Sequence, residues 1–393
     1  MDILFLIHII ALLFSFFVIG AVLGAVFSEI FRHKIVVVVR RLLLNKSDSN
    51  PILKPGTNVW AAEAVMNPAA AFFDGRTHLI YRAIGSDGVS RLGYASSADG
   101  IVFDKQLPYP AFVATRLHRS HMHNIERRYS LTLYPSGGSW GGCEDPRMVM
   151  IDGRVYVTIN IFDGWNFIRV AFISIAEDDF LAEQFDKWEG PHLISPPGQI
   201  HKNWVLFPEK IGGRFAILHS ITPNVEIAFL DDIENVGITE PFVESWVGAR
   251  DCLPARDDSW DSFVRGAGPP PIRTDRGWLL FYHAIDNRDP GRYKLGAMLL
   301  DLADPTKVLY RAAAPVISPD EYYENDGKPG IVYACGAVVR TSTELGTGDK
   351  KLFVYYGGAD KVVCVATSPL NHFLDALVEG SQASLTAVPA QIV

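Results

Sequence analysis

The sequence has no closely spaced cysteine pair. Its four cysteines, Cys143, Cys252, Cys335 and Cys364, lie far apart, so neither a zinc knuckle nor a disulfide-dense secreted scaffold fits, and reduced, buried thiols are the expectation. It also lacks the positive excess of a nucleic-acid binder. A count of 36 basic against 44 acidic residues gives a net charge of -8, the wrong sign for a chain that neutralises a phosphate backbone. Charged residues make up only 20% against 48% hydrophobic, with 8 tryptophans, which excludes a disordered or coiled-coil chain. Helical periodicity is nearly missing after residue 58, apart from short stretches at 178–187 and 370–378, while 33 glycines and 24 prolines supply turns. At 393 residues the chain has room for two average domains or one large β-fold.

One long hydrophobic run is present. Residues 3–27 contain no Asp, Glu, Lys or Arg, and as a helix they reach roughly 38 Å, enough to cross the hydrocarbon core of a bilayer. A cleaved signal peptide fits less well, because no basic residue precedes the run, the run is long, and no small-x-small site follows. Residues 1–30 therefore read as an N-terminal transmembrane anchor in contact with the lipid bilayer. Arg32, Lys34, Arg40, Arg41 and Lys46 follow the span, which by the positive-inside rule puts the downstream body in the cytoplasm. Residues 31–58 read as a juxtamembrane basic segment and linker, 59–374 as the folded body, and 375–393 as a flexible tail.

The body repeats itself. A turn followed by a short apolar and aromatic strand recurs as DGRTHLIYRA from Asp74, DGRVYVTINI from Asp152, GGRFAILHS from Gly212, DRGWLLFYHA from Asp275 and DKKLFVYYGGAD from Asp349. A second strand follows each copy after a polar turn, so the copies read as β-hairpins. Their spacing of 60 to 78 residues leaves room for about four strands per unit, which predicts an all-β, five-bladed propeller over a β-sandwich. In a propeller the innermost strands converge, so the polar residues that close these strands, Arg82, Asn160, His219 with Ser220, His283 and Asp360, are expected around one central pocket. The densest cluster is GGCEDPR at 141–147: Glu144, Asp145 and Arg147 place two carboxylates and a guanidinium beside a turn fixed by Pro146, which suits an acid held next to a cation. The segment 116–128 carries His118, His121 and His123 among four arginines; a basic loop at the pocket rim is expected there, and no metal site.

A resemblance then emerges. MNPAA at 66–70, YRA at 81–83, GCEDPR at 142–147, KNWVLFPEKIGGRFAILH at 202–219, GAGPPPIRTDRGWLLFYH at 266–283, YEN at 323–325 and YYGGAD at 355–360 resemble glycoside hydrolase family 130, the β-mannoside phosphorylases and their hydrolytic relatives, in unbroken order over about 59–370. The resemblance implies a five-bladed propeller that cleaves or forms β-mannosidic bonds with inversion. It implies Asp145 as general acid acting through a sugar hydroxyl relay, Asn67, Arg82 and Asp360 as holders of the sugar, and Lys202, Arg265 and His283 as phosphate-binding residues. Tyr356 or Trp165 is expected to supply a stacking face. The position that in phosphorylases typically carries a phosphate-binding Arg is Ser220, with Arg214 or Arg273 as possible substitutes. A hydrolase would instead need a carboxylate base, for which Glu209, Glu226 and Glu324 are candidates. Two further readings are a non-catalytic carbohydrate-binding propeller and a retaining propeller glycosidase. No cofactor is expected beyond inorganic phosphate as co-substrate, and the expected partners are a β-linked mannosyl oligosaccharide, the bilayer and a second copy of the chain.

Overall fold

Twenty strands and two short α-helices make up this computed structural model, which describes residues 44–114, 127–164, 167–222, 225–233, 259–341 and 349–381. The strands fall into five antiparallel groups in chain order. After β1 (Asn45–Lys46), the first group is β2 (Ala64–Phe73), β3 (Arg76–Ile84), β4 (Val89–Ser97) and β5 (Lys105–Gln106). The second is β6 (Gly141–Ile151), β7 (Arg154–Asp163), β8 (Ile168–Ala176) and β9 (Glu189–Leu193), joined to the first by a short parallel contact of β6 with β4. Three strands form the third, β10 (Val205–Leu206), β11 (Phe215–Ser220) and β12 (Glu226–Leu230). The fourth holds β13 (Phe263–Ala267), β14 (Ile272–Thr274), β15 (Gly277–Asp286), β16 (Asp289–Leu300) and β17 (Val308–Arg311). The fifth is β18 (Val332–Thr341), β19 (Lys350–Gly358) and β20 (Val362–Pro369). Helices α1 (Glu177–Leu181) and α2 (Leu370–Gly380) fall where the residual helical periodicity predicts them.

Each repeat seen in the sequence is the middle hairpin of one group. Phe73 pairs with Arg76 and Ile151 with Arg154, leaving the two-residue loops Asp74-Gly75 and Asp152-Gly153. Their φ values of 47° and 70°, and of 52° and 74°, are those of type I′ turns, whose twist matches the flanking strands. The strands are apolar on both faces because each group packs against its neighbours. Ile80 and Leu92 of the first group pack with Val157 and Ile159 of the second; Val149 and Phe172 of the second pack with Leu206 and Ile217 of the third; Leu218 and Val205 pack with Leu280 and Met298 of the fourth; and Leu79 and Tyr81 pack with Phe353 and Val365 of the fifth. The core is thus a ring of layers between successive groups, a propeller-like all-β arrangement.

The segment preceding residue 59 is not a free linker. Strand β1 pairs with the outer strand β20, Leu53 bridges to Val363, and the Asn50 side chain exchanges two hydrogen bonds with the Val365 backbone, at 2.9 and 2.8 Å. The body therefore starts at Leu44, because the fifth group needs a fourth strand to cover its edge and the N-terminal segment supplies it. Its far end lies beyond residue 374: α2 runs to Gly380 and buries Phe373, Leu374 and Leu377. The apolar run 3–27 lies outside the described residues, among which no helix is long and apolar enough to cross a membrane.

Candidate active site

A cavity of about 590 Å³ opens where the inner strands meet, lined by residues from all five groups. What aims the side chains into it is a recurring irregularity. Every group carries a break in register: in its first strand at Met66/Ala69 in β2, Glu144/Arg147 in β6, Val264/Gly266 in β13 and Ala334/Gly336 in β18, and in the second strand of the third group at Leu218/Ser220 in β11. Such bulges turn a side chain out of the pleat. In the first two groups the turned residues are Asn67 (φ 49°) and Asp145 (φ 50°), both in the left-handed region, where non-glycine residues store strain and cluster at functional sites. Asp360 (φ 52°) follows Ala359 (φ 53°) in the tight turn between β19 and β20, closed by a 2.9 Å bond from Lys361 N–H to Gly358 O.

These three residues and Arg82 form one connected wall. Asp145 Oδ1 accepts from Asn67 Nδ2 at 2.8 Å and from Arg82 Nη1 at 3.3 Å. Arg82 also donates to Glu144 Oε1 at 2.8 Å, to the Ser136 carbonyl at 2.8 Å and, through Nε, to Ser90 Oγ at 2.9 Å. Glu144, fully buried, accepts further from Ser136 Oγ at 2.9 Å and from Lys202 Nζ at 3.1 Å. Burial by itself raises the Asp145 carboxyl, but the charges of Arg82, Lys202 and Arg147 and the Asn67 hydrogen bond more than offset this and hold it below the usual carboxylate range. Asp360 goes the other way: burial dominates and keeps it raised although Lys328 stands 3.5 Å away. One cavity thus holds two carboxylates whose surroundings pull their proton affinities apart.

The opposite wall is looser. Lys202, Asn203, Arg265 and Tyr333 line it. Asn203 is its hub: Oδ1 accepts from Arg147 Nη2 at 2.9 Å and from Tyr333 OH at 2.6 Å, and Nδ2 donates to the Arg265 carbonyl at 3.1 Å. Arg147, buried, ties this wall to the acid through a 2.7 Å bond to the Asp145 carbonyl. The Arg265 guanidinium has no carboxylate partner among the described residues; it lies over the rings of Phe263 at 5.1 Å and Tyr293 at 5.7 Å. His219 also lines the cavity, its pKa pushed down to about 4 by burial, so it is neutral at pH 7.

Of the residues expected from sequence, Asn67, Arg82, Asp145, Lys202, Arg265 and Asp360 meet at this cavity. Two do not. Tyr356 is fully buried with its hydroxyl on Glu324 Oε1 at 2.9 Å, so it belongs to the core of the fifth group and presents no stacking face. His283 is likewise fully buried behind Tyr333, with ring centroids 4.0 Å apart. Its Nε2 accepts from Ala334 N–H at 2.9 Å, and burial and the nearby Arg147 charge push its pKa down to about 3; it is a neutral support for Tyr333 and does not reach the cavity. The reason is the same for both: alternation along a strand sends these side chains into the layer between groups. Asn160 is buried outside the lining and Ser220 turns to the Thr222 carbonyl at 3.1 Å. Neither Arg214, paired with Asp231, nor Arg273, paired with Glu209, lines the cavity in place of an arginine at 220. Glu209, Glu226, 3.6 Å from His219, and Glu324, paired with Lys46 at 2.7 Å, are also absent from the lining. Trp165 and the histidines 118, 121 and 123 lie outside the described residues. Sequence reasoning missed Asn203 and Tyr333 altogether; the adjacency of Asn203 to Lys202 in KNW was the one available signal.

Comparison with known proteins follows the same outline. A family model described as beta-1,4-mannooligosaccharide phosphorylase matches residues 32–379. A 1,2-beta-oligomannan phosphorylase of Thermoanaerobacter sp. (strain X514) is 37% identical over 332 residues, covering 82% of this chain and 96% of the relative. A beta-1,2-mannobiose phosphorylase of the same organism is 30% identical, again over 82% and 96%. Among solved structures, the beta-1,2-mannobiose phosphorylase from Listeria innocua in complex with beta-1,2-mannobiose shares the fold with a TM-score of 0.61 at 23% identity, over 86% of this chain and 99% of that one.

Proposed function

The chain belongs to glycoside hydrolase family 130, a family of carbohydrate-active enzymes, and from that premise we propose that it is an inverting β-mannoside phosphorylase. Its five strand groups are then the blades of a five-bladed propeller with the cavity at their centre. The observation that carries the phosphorolytic reading is the composition of the cavity wall. Among the described residues, Asp145 and Asp360 are the only carboxylates lining it, and two cations, Lys202 and Arg265, line it as well. A hydrolase needs a second carboxylate as base; the raised carboxyl of Asp360, less readily ionised, makes it a poor base, and none of Glu209, Glu226 and Glu324 lines the cavity. A phosphorylase needs cations to hold phosphate in line, and these are present.

In this reading Asn67, Arg82 and Asp360 grip the mannosyl ring. Phosphate at Lys202 and Arg265 attacks its anomeric carbon, the C1–O bond to the acceptor breaks, and Asp145 supplies the proton that the leaving oxygen requires, by way of a sugar hydroxyl. Hydrogen phosphate releases its own proton on forming mannose 1-phosphate, which restores Asp145. The protein's own charges depress the Asp145 pKa. A phosphate dianion beside Lys202 offsets one of the charges that depresses it, so the acid form is favoured once both substrates are bound.

The test is incubation of the full chain in detergent with β-1,2-, β-1,3- and β-1,4-mannobiosides, with and without phosphate. Mannose 1-phosphate formed only when phosphate is present is the expected result; free mannose released at the same rate without phosphate would make the chain a hydrolase. The linkage most consistent with the 37% identical relative is β-1,2. For location, we propose that residues 3–27 anchor the enzyme in a membrane with the body in the cytoplasm. Retention in the membrane pellet after alkaline extraction is expected, and release into the supernatant would refute the anchor.

A further inference from the structure

The N-terminal strand reaches further into the molecule than covering a sheet edge requires. Lys46 of β1 extends its ammonium group to the segment that precedes β18, where Nζ donates to the Ser318 carbonyl at 2.8 Å and to Glu324 Oε2 at 2.7 Å. Glu324 is fully buried and ends the helical turn Tyr322–Glu324. Its Oε2 also accepts from the Glu321 N–H at 2.8 Å, and its Oε1 from Tyr356 OH at 2.9 Å. A carboxylate taken out of water needs a partner of opposite charge. Among the described residues Lys46 is the cation paired with it, from 278 residues away in sequence.

The backbone of Glu324 begins a loop that reaches the central cavity. Its carbonyl accepts from Gly330 N–H at 3.2 Å, and Asn325 Oδ1 accepts from the same N–H at 3.0 Å, so residues 325–330 close back on the turn. The loop lies against the turn that carries Asp360. Lys328 N–H donates to the Ala359 carbonyl at 2.8 Å, Ala359 N–H donates to the Ile331 carbonyl at 3.0 Å, and a Cβ at Gly327 would stand 2.6 Å from Ala359 O. Lys328 and Ile331 line the cavity together with Asp360. Lys328 Nζ stands 3.5 Å from Asp360 Oδ2 and donates to the Pro135 carbonyl at 3.0 Å. Direct contacts therefore run from Lys46 through Glu324 and the loop to Lys328 and Asp360.

We infer that Lys46 and Glu324 are positioning residues for the sugar-binding carboxylate: the N-terminal strand, acting through Glu324, holds the 325–331 loop and so sets the Lys328–Asp360 pair. The assignment rests on the mannosyl-transfer reading above, in which Asp360 grips the sugar. Without Lys46 the buried Glu324 carboxylate is uncompensated, and it must take up water or a proton, either of which loosens the turn it closes. The groups facing Asp360 then decide the consequence. Lys328 and Arg82 favour its ionised form, while burial and Asp145 oppose it; Tyr129 stands near as well, and Lys361, next in sequence, is turned to Asp326 at 3.0 Å. Arg82 and Asp145 keep their own bonds on the far side of the cavity wall. Lys328 is the one of these groups carried by the loop, so releasing the loop withdraws a positive charge from Asp360 and raises its proton affinity.

The experiment compares the full chain in detergent with Lys46→Met, Glu324→Gln, Lys328→Met and the Lys46→Met/Lys328→Met double variant. Hydrogen exchange is followed by mass spectrometry, and phosphorolysis of β-linked mannobiose is measured across pH. Lys46→Met is expected to speed exchange in peptides covering 325–331 and to raise the KM for mannoside about tenfold, the scale of a hydrogen bond to a charged group. The KM for phosphate stays unchanged, and the acid limb of kcat/KM moves to higher pH. Lys328→Met moves the limb the same way, and the double variant moves it no further, because both changes act on one pair. Glu324→Gln cuts the same link without leaving a buried charge and carries the test if Lys46→Met does not fold; smaller effects of the same sign are expected. Unchanged exchange at 325–331, an unmoved acid limb, additive shifts in the double variant, or an equal rise in both KM values would overturn the positioning role. If wild type turns over no mannoside, the phosphorylase reading falls, and exchange together with the pH dependence of mannobiose binding by calorimetry decides the role of Lys46.

Discussion

The two walls of the cavity solve different problems with different materials. The side chains of Asn67, Arg82, Glu144 and Asp145 on one wall are buried and joined by hydrogen bonds, on long strands that share a layer of core. On the wall of Lys202, Asn203 and Arg265, the third group shows three strands among the described residues, Arg265 is exposed, and its guanidinium lies over aromatic rings. The first wall is set before any ligand arrives, as positioning of a sugar and an acid demands. Among the described residues, the second keeps in Arg265 a cation without a carboxylate partner, which suits an incoming anion. Rigidity goes with paired charges here, and openness with a cation that lacks such a pair.

The contrast can be broken most severely at the acid. Asp145→Asn is expected to lower kcat by about 1,000-fold, within the range for loss of a general acid, with little change in mannoside affinity by calorimetry. Activity within tenfold of wild type would move the acid role to Asp360. Next in size is the buried network. Arg82→Met leaves Glu144 and Asp145 without their shared cation and should cost about 3–5 kcal/mol in stability, as breaking a buried pair does; a urea titration checks it, and a loss below 1 kcal/mol would show that the wall is not pre-set.

On the open wall the effects are smaller and specific to the anion. Lys202→Met should raise the KM for phosphate about tenfold while sparing fold stability by comparison with Arg82→Met. It should also act on the acid: removing a positive charge that depresses Asp145 raises its pKa, so the alkaline limb of the kcat/KM profile moves to higher pH. An unmoved limb would uncouple Lys202 from the acid. The smallest effect concerns His219. Its folded pKa of about 4 lies below the unfolded value of about 6.5, so the unfolded chain binds the proton first as pH falls. Stability is therefore lost between about 6.5 and 4. His219→Gln should flatten that slope in urea midpoints measured across this window, leaving the part due to His283; identical slopes would exclude His219.

Much of this was legible in the sequence. The hairpins announce themselves because Asp-Gly and Gly-Gly turns force the chain to reverse at those points and the flanking residues are apolar on both faces. GGCEDPR points to the cavity wall because its charged groups are concentrated in adjacent residues, and Asp145 does line the cavity. Tyr356 and His283 were misplaced because neighbouring residues on a strand face opposite ways, and which way is decided by the bulge in the partner strand, such as that at Ala334/Gly336. Asn203 was hidden because its importance comes from Arg147, Tyr333 and Arg265, which lie 56, 130 and 62 residues away in sequence.

By itself the sequence determined the repeat, the all-β class, the family and the dense charged cluster at 141–147, since each is written in contiguous residues whose turn chemistry, periodicity or charge acts locally. The tertiary structure alone decided which of the strand-end residues meet, that residues 44–58 close the fifth group, and that Arg82 pairs with Glu144 and Asp145 while Arg265 faces aromatic rings. These depend on distances between side chains far apart in the chain, and burial and Coulomb interaction act through space.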